Sequence, residues 1–458
     1  MDDGEGREPN QDGPAANRPD GNESRAGGEY DPIDDAIEQT APMADRPWQT
    51  RLRAHLVDLT PLRTSRQFRL LWIGQSVSDV GSHLTMVAIP FQMFALTHST
   101  LAVGLIGLFE LVPLLVLPVI GGAIADAMDR RRLLLLAHLV LAALSGVLAL
   151  NATAGHVWVL YVVTALEVSM YSLFLPAMRS LVPRFVDHDV LPSAMALSSA
   201  YGSFGALAGP ILGGVLIAAF GLRTAYLVDL ATYAWALGTL WLMAPAPPHE
   251  DAERFSWESV RQGVRFLKGR KVLQSTFTFD LNAMIFGMPT ALFPAVADRL
   301  GGGAGVVGLL YAAPYAGAYV VSLFSGRAKH VRRQGLAVEL AIVVWGVSLV
   351  AFGLSTTLWA SLLFLAVAGG GDQWSAIFRS TILQTVVPDE MRGRLSGVEL
   401  TVVAAGPALG DLEAGAVASL TSVPFSIVLG GALCLAGVGV LSRLVPEFGR
   451  YDARNPTP

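Results

Sequence analysis

Apolar runs of about 20 residues or more, separated by short polar turns, recur from Phe68 almost to the end of the chain. A helix of that length crosses a hydrocarbon core of about 30 Å. The runs are Phe68 to Leu96, Leu101 to Ala125, Leu133 to Thr153, Val157 to Leu181, Leu191 to Phe220 and Thr224 to Met243. After a polar interval come Val272 to Val296, Val306 to Ser325, Leu336 to Ser355, Leu358 to Gln384, Leu395 to Leu420 and Pro424 to Leu444. Twelve spans are predicted. Two stretches show a different period. Arg51 to Arg69 places Leu52, Leu56 and Leu59 at helical spacing with Arg53, Arg63 and Arg66 between them, and Trp257, Val260, Val264 and Leu267 alternate with Arg261, Arg265 and Lys268. Both read as amphipathic helices lying on a membrane surface.

Composition agrees with a membrane body: 52% hydrophobic, 15% charged and a mean hydropathy of +0.49, against roughly 25% charge in soluble domains. The net charge of -5 is unevenly placed. Met1 to Trp48 holds 13 acids against Arg7, Arg18, Arg25 and Arg46 and few apolar residues, so it is expected to be disordered. Joined alternately, the spans put Arg130 to Arg132, Arg184, the Arg254 to Lys271 cluster, Arg327 to Arg333, Arg392 and Arg394 on one face, leaving Arg223 and Arg299 on the other. Basic loops stay inside, so both termini are expected to be cytoplasmic. The lone Cys434 excludes an internal disulfide and a thiolate metal cluster, and no phosphate-binding loop of the Walker type is present. ATP-driven work, enzymatic catalysis, a metal, an organic cofactor and a nucleic-acid partner are therefore not expected.

The two halves repeat. Arg179-Ser180 with Asp189 recurs 200 residues later as Arg379-Ser380 with Asp389, and Ala208-Gly209-Pro210-Ile-Leu-Gly213 recurs as Ala405-Gly406-Pro407-Ala-Leu-Gly410. The expected fold class is an all-α membrane protein with twelve transmembrane helices in two pseudo-symmetric six-helix bundles. The expected domains are an acidic tail (1–48), a juxtamembrane segment (49–67), an N-terminal bundle (68–244), a linker with an amphipathic helix (245–271), a C-terminal bundle (272–446) and a short tail (447–458).

Two motifs carry more than topology. Gly122, Asp126, Arg130, Arg131 and Arg132 form a tight, basic turn between spans two and three, a gating loop or a topogenic one. Gly205, Gly209, Pro210, Gly213 and Gly214 give span five a smooth face for close packing, with a proline that bends the helix. The first stretch resembles the loop between helices 2 and 3 of the major facilitator superfamily, with Ala127 in place of a basic residue and Asp129 in place of a glycine. The second resembles the span-five motif of that superfamily's exporters. Asp280 to Pro289 and Asp372 to Arg379 are similar to runs in its enterobactin-exporter-like, drug and siderophore branch. The resemblance implies substrate binding at mid-membrane between the halves.

Acids inside a membrane are costly, about 2.5 to 3.5 kcal/mol near the midplane, and so are functional candidates. Asp79, Glu110, Glu167, Asp229, Asp280, Asp372, Glu399, Asp411 and Glu413 qualify by position. Asp229 and Glu399 lie near span ends and read as structural. Asp280 and Asp372 rank first as proton-coupling groups, with Arg379 tuning Asp372 across a break expected at Gly369 to Gly371, and Glu110 and Glu167 next. His83 and His138 are possible relays or plain helix contacts. The expected function is a secondary active exporter of small amphipathic molecules driven by proton antiport, acting as a monomer with substrate, protons and membrane lipid as its partners. A proton-coupled nutrient importer and a non-transporting membrane sensor are the alternatives.

Overall fold

The computed structural model describes residues 58–247, 261–262 and 265–454. The acidic tail, residues 49–57 of the juxtamembrane segment and Trp257, Val260 and Val264 of the linker helix lie outside the described residues. The described residues from Asp58 onward form one compact unit. Its helices are α1 (Thr60–Thr64), α2 (Arg66–Thr97), α3 (Thr100–Ala127), α4 (Arg130–Ala154), α5 (Val157–Phe185), α6 (Leu191–Phe220) and α7 (Leu222–Trp241). Then follow α8 (Lys271–Gly287), α9 (Phe293–Arg299), α10 (Ala304–Leu323), α11 (Gln334–Leu354), α12 (Leu358–Val386), α13 (Asp389–Leu420), α14 (Val423–Leu444) and α15 (Pro446–Gly449). Taking α8 and α9 as one interrupted span, twelve long segments alternate in direction among the described residues. Nine of these have the length and hydropathy to cross a membrane. The other three are α7, α12 and α13, which carry Asp229, Asp372 with Arg379, and Glu399 through Glu413.

Local chemistry sets the turns. Ser65, Asp129 and Ser422 cap α2, α4 and α14 by accepting from the main-chain N–H three residues on, satisfying a donor that a helix start leaves free. Gly155, at φ 71°, ends α4 in the left-handed conformation that favours glycine. In the N-terminal half, α4 packs on α7, α2 on α6 and α7, and α3 on α5. In the C-terminal half, α11 packs on α12 and α14, and α10 on α12. The halves meet along two seams, α3 against α13 and α6 against α10.

Two expectations are corrected. Span ten does not break at Gly369 to Gly371: α12 runs unbroken through them. These glycines instead admit neighbours, since a Cβ on Gly369 would overlap the Pro314 carbonyl of α10 and one on Gly371 would crowd the Ala341 carbonyl of α11. Span seven, expected to be continuous, is the broken one. It leaves the helix at Met288-Pro289, passes a single turn at Thr290–Leu292 and resumes as α9. The proline removes a donor and disfavours helix at the residue before it.

A candidate transport cavity between the halves

A cavity of about 700 Å³ lies between the halves, walled by α2–α7 on one side and by α8–α13 on the other. It is a volume suited to a drug-sized molecule. Tyr171 and Asp372 occupy the middle residues of α5 and α12, and both line it, as do Asp79, His83, Tyr201 and Tyr315. Glu110, Glu167 and Asp411 also line it. They sit one or more turns nearer the end away from the basic loops, since each is about ten residues from that end of its helix. Glu167 is within electrostatic reach of both Glu110 and Asp229, and Glu110 is within reach of Asp411.

That far end is closed by small residues. A Cβ on Gly104 or Gly107 of α3 would run into the main chain of Asp411 or Ala408 on α13, and one on Gly214 of α6 would meet Gly305 and Gly308 of α10. Thr100 adds a hydrogen bond to the Gly415 carbonyl at 3.1 Å. The span-five motif therefore presents two packing faces. Gly205, Gly209 and Gly213, four apart, lie against Asp79, His83 and Leu84 of α2, while Pro210, through its carbonyl, and Gly214 lie against α10. One helix thus ties its own bundle to the inter-half seam.

The acids differ in how far they are satisfied. Asp411 accepts from Thr290 Oγ1 at 2.5 and 2.6 Å and from the Ala291 N–H at 2.8 Å, pinning the break in span seven. Asp229 accepts from Thr85 at 2.7 Å and Ser145 at 2.8 Å and is fully buried. By contrast, one carboxylate oxygen of Asp79 and one of Glu167 are buried with no hydrogen-bond partner. Asp372 is exposed to the cavity, with no partner for its carboxylate among the described residues. His83 Nδ1 lies 2.8 Å from the Asp79 main-chain carbonyl and 3.5 Å from the carboxylate.

Asp280 and Arg379 are placed differently from the sequence expectation. They form a buried ion pair between α8 and α12 and are absent from the cavity wall, and the partner of Arg379 is Asp280 rather than Asp372. Seven residues along α12 separate Arg379 from Asp372 by about 10 Å, so the guanidinium takes the nearer acid across the helix interface. Glu399 is within electrostatic reach of the same guanidinium. Met284 and Met288 do face the cavity. His138 is buried, 2.9 Å from the Leu134 carbonyl and 3.2 Å from Gln75 Nε2, a helix contact away from the cavity wall.

The basic turn is a clasp. Gly122 and Asp126 fall on α3, with their side chains outside the described residues. Asp129, unexpected at a glycine position, caps α4 and accepts from the Ala246 N–H at 2.8 Å. The Arg130 main-chain N–H donates back to the Ala246 carbonyl at 3.0 Å, and Arg131 donates to the Leu240 and Trp241 carbonyls at 2.9 and 2.5 Å. These bonds tie the end of α7 and the start of the linker to the turn. Arg132 contributes to the turn's positive charge.

Sequence reasoning missed the tyrosines Tyr171, Tyr201 and Tyr315 and ranked Asp79 below Asp280. Glu167 and Tyr171 are one turn apart on α5, a spacing that could have marked the shared face.

A family profile described as transmembrane secretion effector matches residues 57–456. Over 407 residues the chain is 30% identical to the enterobactin exporter EntS of Citrobacter koseri, covering 88% of this chain and 97% of that protein. The EntS of Shigella boydii serotype 18 is likewise 30% identical, over 405 residues and the same shares. Among solved structures, the nucleoside transporter NupG superposes with a TM-score of 0.66 at 13% identity, covering 84% of this chain and 98% of NupG. A POT family transporter in complex with 5-aminolevulinic acid gives 0.67 at 13% identity, with 84% and 97% covered.

Proposed function

Because this chain belongs to the transmembrane secretion effector family of the major facilitator superfamily, we propose that it exports small amphipathic molecules of the siderophore or drug type across a bacterial inner membrane by proton antiport. The observation that carries the reading is the cavity between the halves, with carboxylates left without partners at mid-membrane. The glycine seams close the end opposite the basic loops. With basic loops inside, both termini are cytoplasmic and the cavity faces the cytoplasm, the state in which an exporter collects its load.

An ionised carboxylate in a drying cavity is costly and a protonated one is not, so closure over an acid favours taking up a proton, and wetting favours its release. Glu110 and Glu167, next to the sealed end, and Asp372, at the midplane, are the coupling groups of this reading. Asp280, paired with Arg379 away from the cavity wall, is left out of this reading. The span-five glycines set how tightly α6 follows α2 while sealing against α10, so the motif transmits a change at Asp79 and His83 to the seam. The protein acts as a monomer in contact with lipid, without cofactor or metal, and catalyses no covalent step.

Proteoliposomes with an acidic lumen and an enclosed pH dye test this. Adding a catecholate siderophore or tetraphenylphosphonium outside should speed lumenal alkalinisation. Glu110→Gln and Glu167→Gln should abolish that coupling while solute exchange persists. If neither solute moves protons in the wild-type protein, the antiport reading is wrong.

A further inference from the structure

The charged groups lining the cavity are all of one sign. Five are carboxylates, the only imidazole is His83, and no lysine or arginine is found among the described lining residues. An anionic solute entering this space meets unfavourable potential on every wall, and a low-dielectric surround lengthens the reach of that potential.

The acids are not equally available to a ligand. Asp411 is saturated by Thr290 and Ala291. Asp79 comes from the N-terminal half and Asp372 from the C-terminal half, and each keeps a carboxylate oxygen without a hydrogen-bond partner among the described residues. His83 leaves Asp79 incompletely satisfied, because its Nδ1 lies closer to the main-chain carbonyl than to the carboxylate. Glu167 supplies a third unpartnered oxygen, wholly buried, one turn from Tyr171 on α5.

Three tyrosines line the cavity with these carboxylates. Tyr315 of α10 is within electrostatic reach of both Asp79 and Asp372, and Tyr171 and Tyr201 are within reach of Asp79. Each ring is braced edge-on by a neighbour: Tyr171 by Phe174 at 5.2 Å, Tyr201 by Trp72 at 6.3 Å and Tyr315 by His83 at 6.5 Å between centroids. Fixed aromatic rings beside unpaired carboxylates form a cage for a cation, attracted by the ring quadrupoles and by full charges together.

We infer that the mid-membrane layer formed by Asp79, Tyr171, Tyr201, Tyr315 and Asp372 is a binding site for an organic cation with an aromatic or aliphatic body. This deepens the export reading and rests on it only for the direction of travel. The site joins the halves, since one carboxylate comes from each, so an occupied site favours their approach. A proton on Asp79 or Asp372 removes the charge the cation needs. Proton and solute therefore exclude one another here, which is what an exchanger requires.

A pair of probes of nearly equal size and opposite charge tests the site directly. Binding of tetraphenylphosphonium and of tetraphenylborate to the purified full-length protein in nanodiscs is measured without any gradient and corrected against empty nanodiscs. Tetraphenylphosphonium is expected to bind at least tenfold more tightly than the borate. Asp79→Asn and Asp372→Asn should each lower its affinity at least tenfold, and Asp79→Glu should retain most of it. Melting temperatures serve as the folding control. Equal or tighter binding of the borate, or unchanged phosphonium affinity in both well-folded Asn variants, overturns the inference. Proteoliposome efflux separates this from the export reading. Binding without gradient-driven movement sinks export alone, and efflux of a neutral or anionic solute with no phosphonium binding sinks the cation site alone.

Discussion

Asp79 and Asp280 hold matching places in the two halves. Gly209 of the first repeat rides on His83, Gly406 of the second rides on Met284, and each acid lies one turn before the residue so covered. The matching arginines are Arg179 and Arg379. In the C-terminal half the acid and the arginine meet as a buried ion pair. In the N-terminal half they do not: no ion pair joins Arg179 to Asp79 among the described residues, and Asp79 faces the cavity beside His83. The same divergence follows the repeated motif, because the residue after Gly213 is Gly214, which closes a seam, whereas the residue after Gly410 is Asp411, which pins the break in span seven. A duplicated scaffold keeps its packing glycines in both copies and can assign its acids separately. Of this matched pair, the C-terminal acid is tied into an ion pair and the N-terminal one faces the cavity.

The sharpest test of that comparison is to neutralise each acid alone. Asp280→Asn strands the Arg379 guanidinium in a buried interface, and losing one partner of such a pair costs about 3 to 5 kcal/mol. A large fall in melting temperature in detergent is expected, with recovery in the Asp280→Asn, Arg379→Gln double variant. Asp79→Asn should melt close to wild type, because its carboxylate faces the cavity with His83 3.5 Å away and no arginine buried against it among the described residues. Equal destabilisation by the two single changes would erase the distinction.

Asp411→Asn should come next. It replaces a charged acceptor with a neutral one against Thr290 and Ala291, and hydrogen bonds to charged groups are worth about 1.5 to 3 kcal/mol. Hydrogen exchange should rise at residues 288–293 and not along α6; uniform protection across the break would show that Asp411 does not hold it.

The paired glycines sharpen the comparison further. Gly209→Ala meets the Cβ of His83, which cannot swing aside, and overpacking costs about 1 to 3 kcal/mol. Gly406→Ala meets Met284 at its Cβ and Sδ, both 2.8 Å away, a looser approach than that of His83 at Gly209, and should cost less. Transport per folded molecule is expected to fall for Gly209→Ala and to hold for Gly406→Ala. The reverse ranking would mean that the first repeat is not the tighter joint.

The smallest effect lies at the basic surface. Lys271 Nζ donates to Glu447 at 2.9 Å, and this bond, with the residue's own backbone N–H, holds the Glu447 carboxyl below its usual value. A depressed acid contributes stability above its unfolded pKa and loses it as the pH falls through the folded value. The pair is solvent-exposed, so Lys271→Met should leave the melting temperature unchanged within error at neutral pH. A clear drop would show that this contact locks the two ends of the C-terminal half.

The span pattern, the duplication and the glycine faces could be read from the chain because each is local chemistry. Hydropathy over twenty residues, a fixed spacing between identical motifs and four-residue periodicity need no knowledge of neighbours. Those features were enough to mark the acids as a group. Sorting them was not possible at that level, because an acid is satisfied or left open by residues on other helices. Arg379 lies seven residues from Asp372 along one helix, yet it pairs with Asp280 because α8 brings that carboxylate nearer. Gly369 to Gly371 read as a break from propensity, but they form continuous helix because Pro314 and Ala341 press their main chain into the space that missing side chains leave. The sequence by itself thus determined which residues enter the membrane and that they do so twice over. Tertiary packing decided which carboxylates meet a partner, and so which remain for a ligand, since electrostatic pairing depends on distances of a few ångströms between helices remote in the chain.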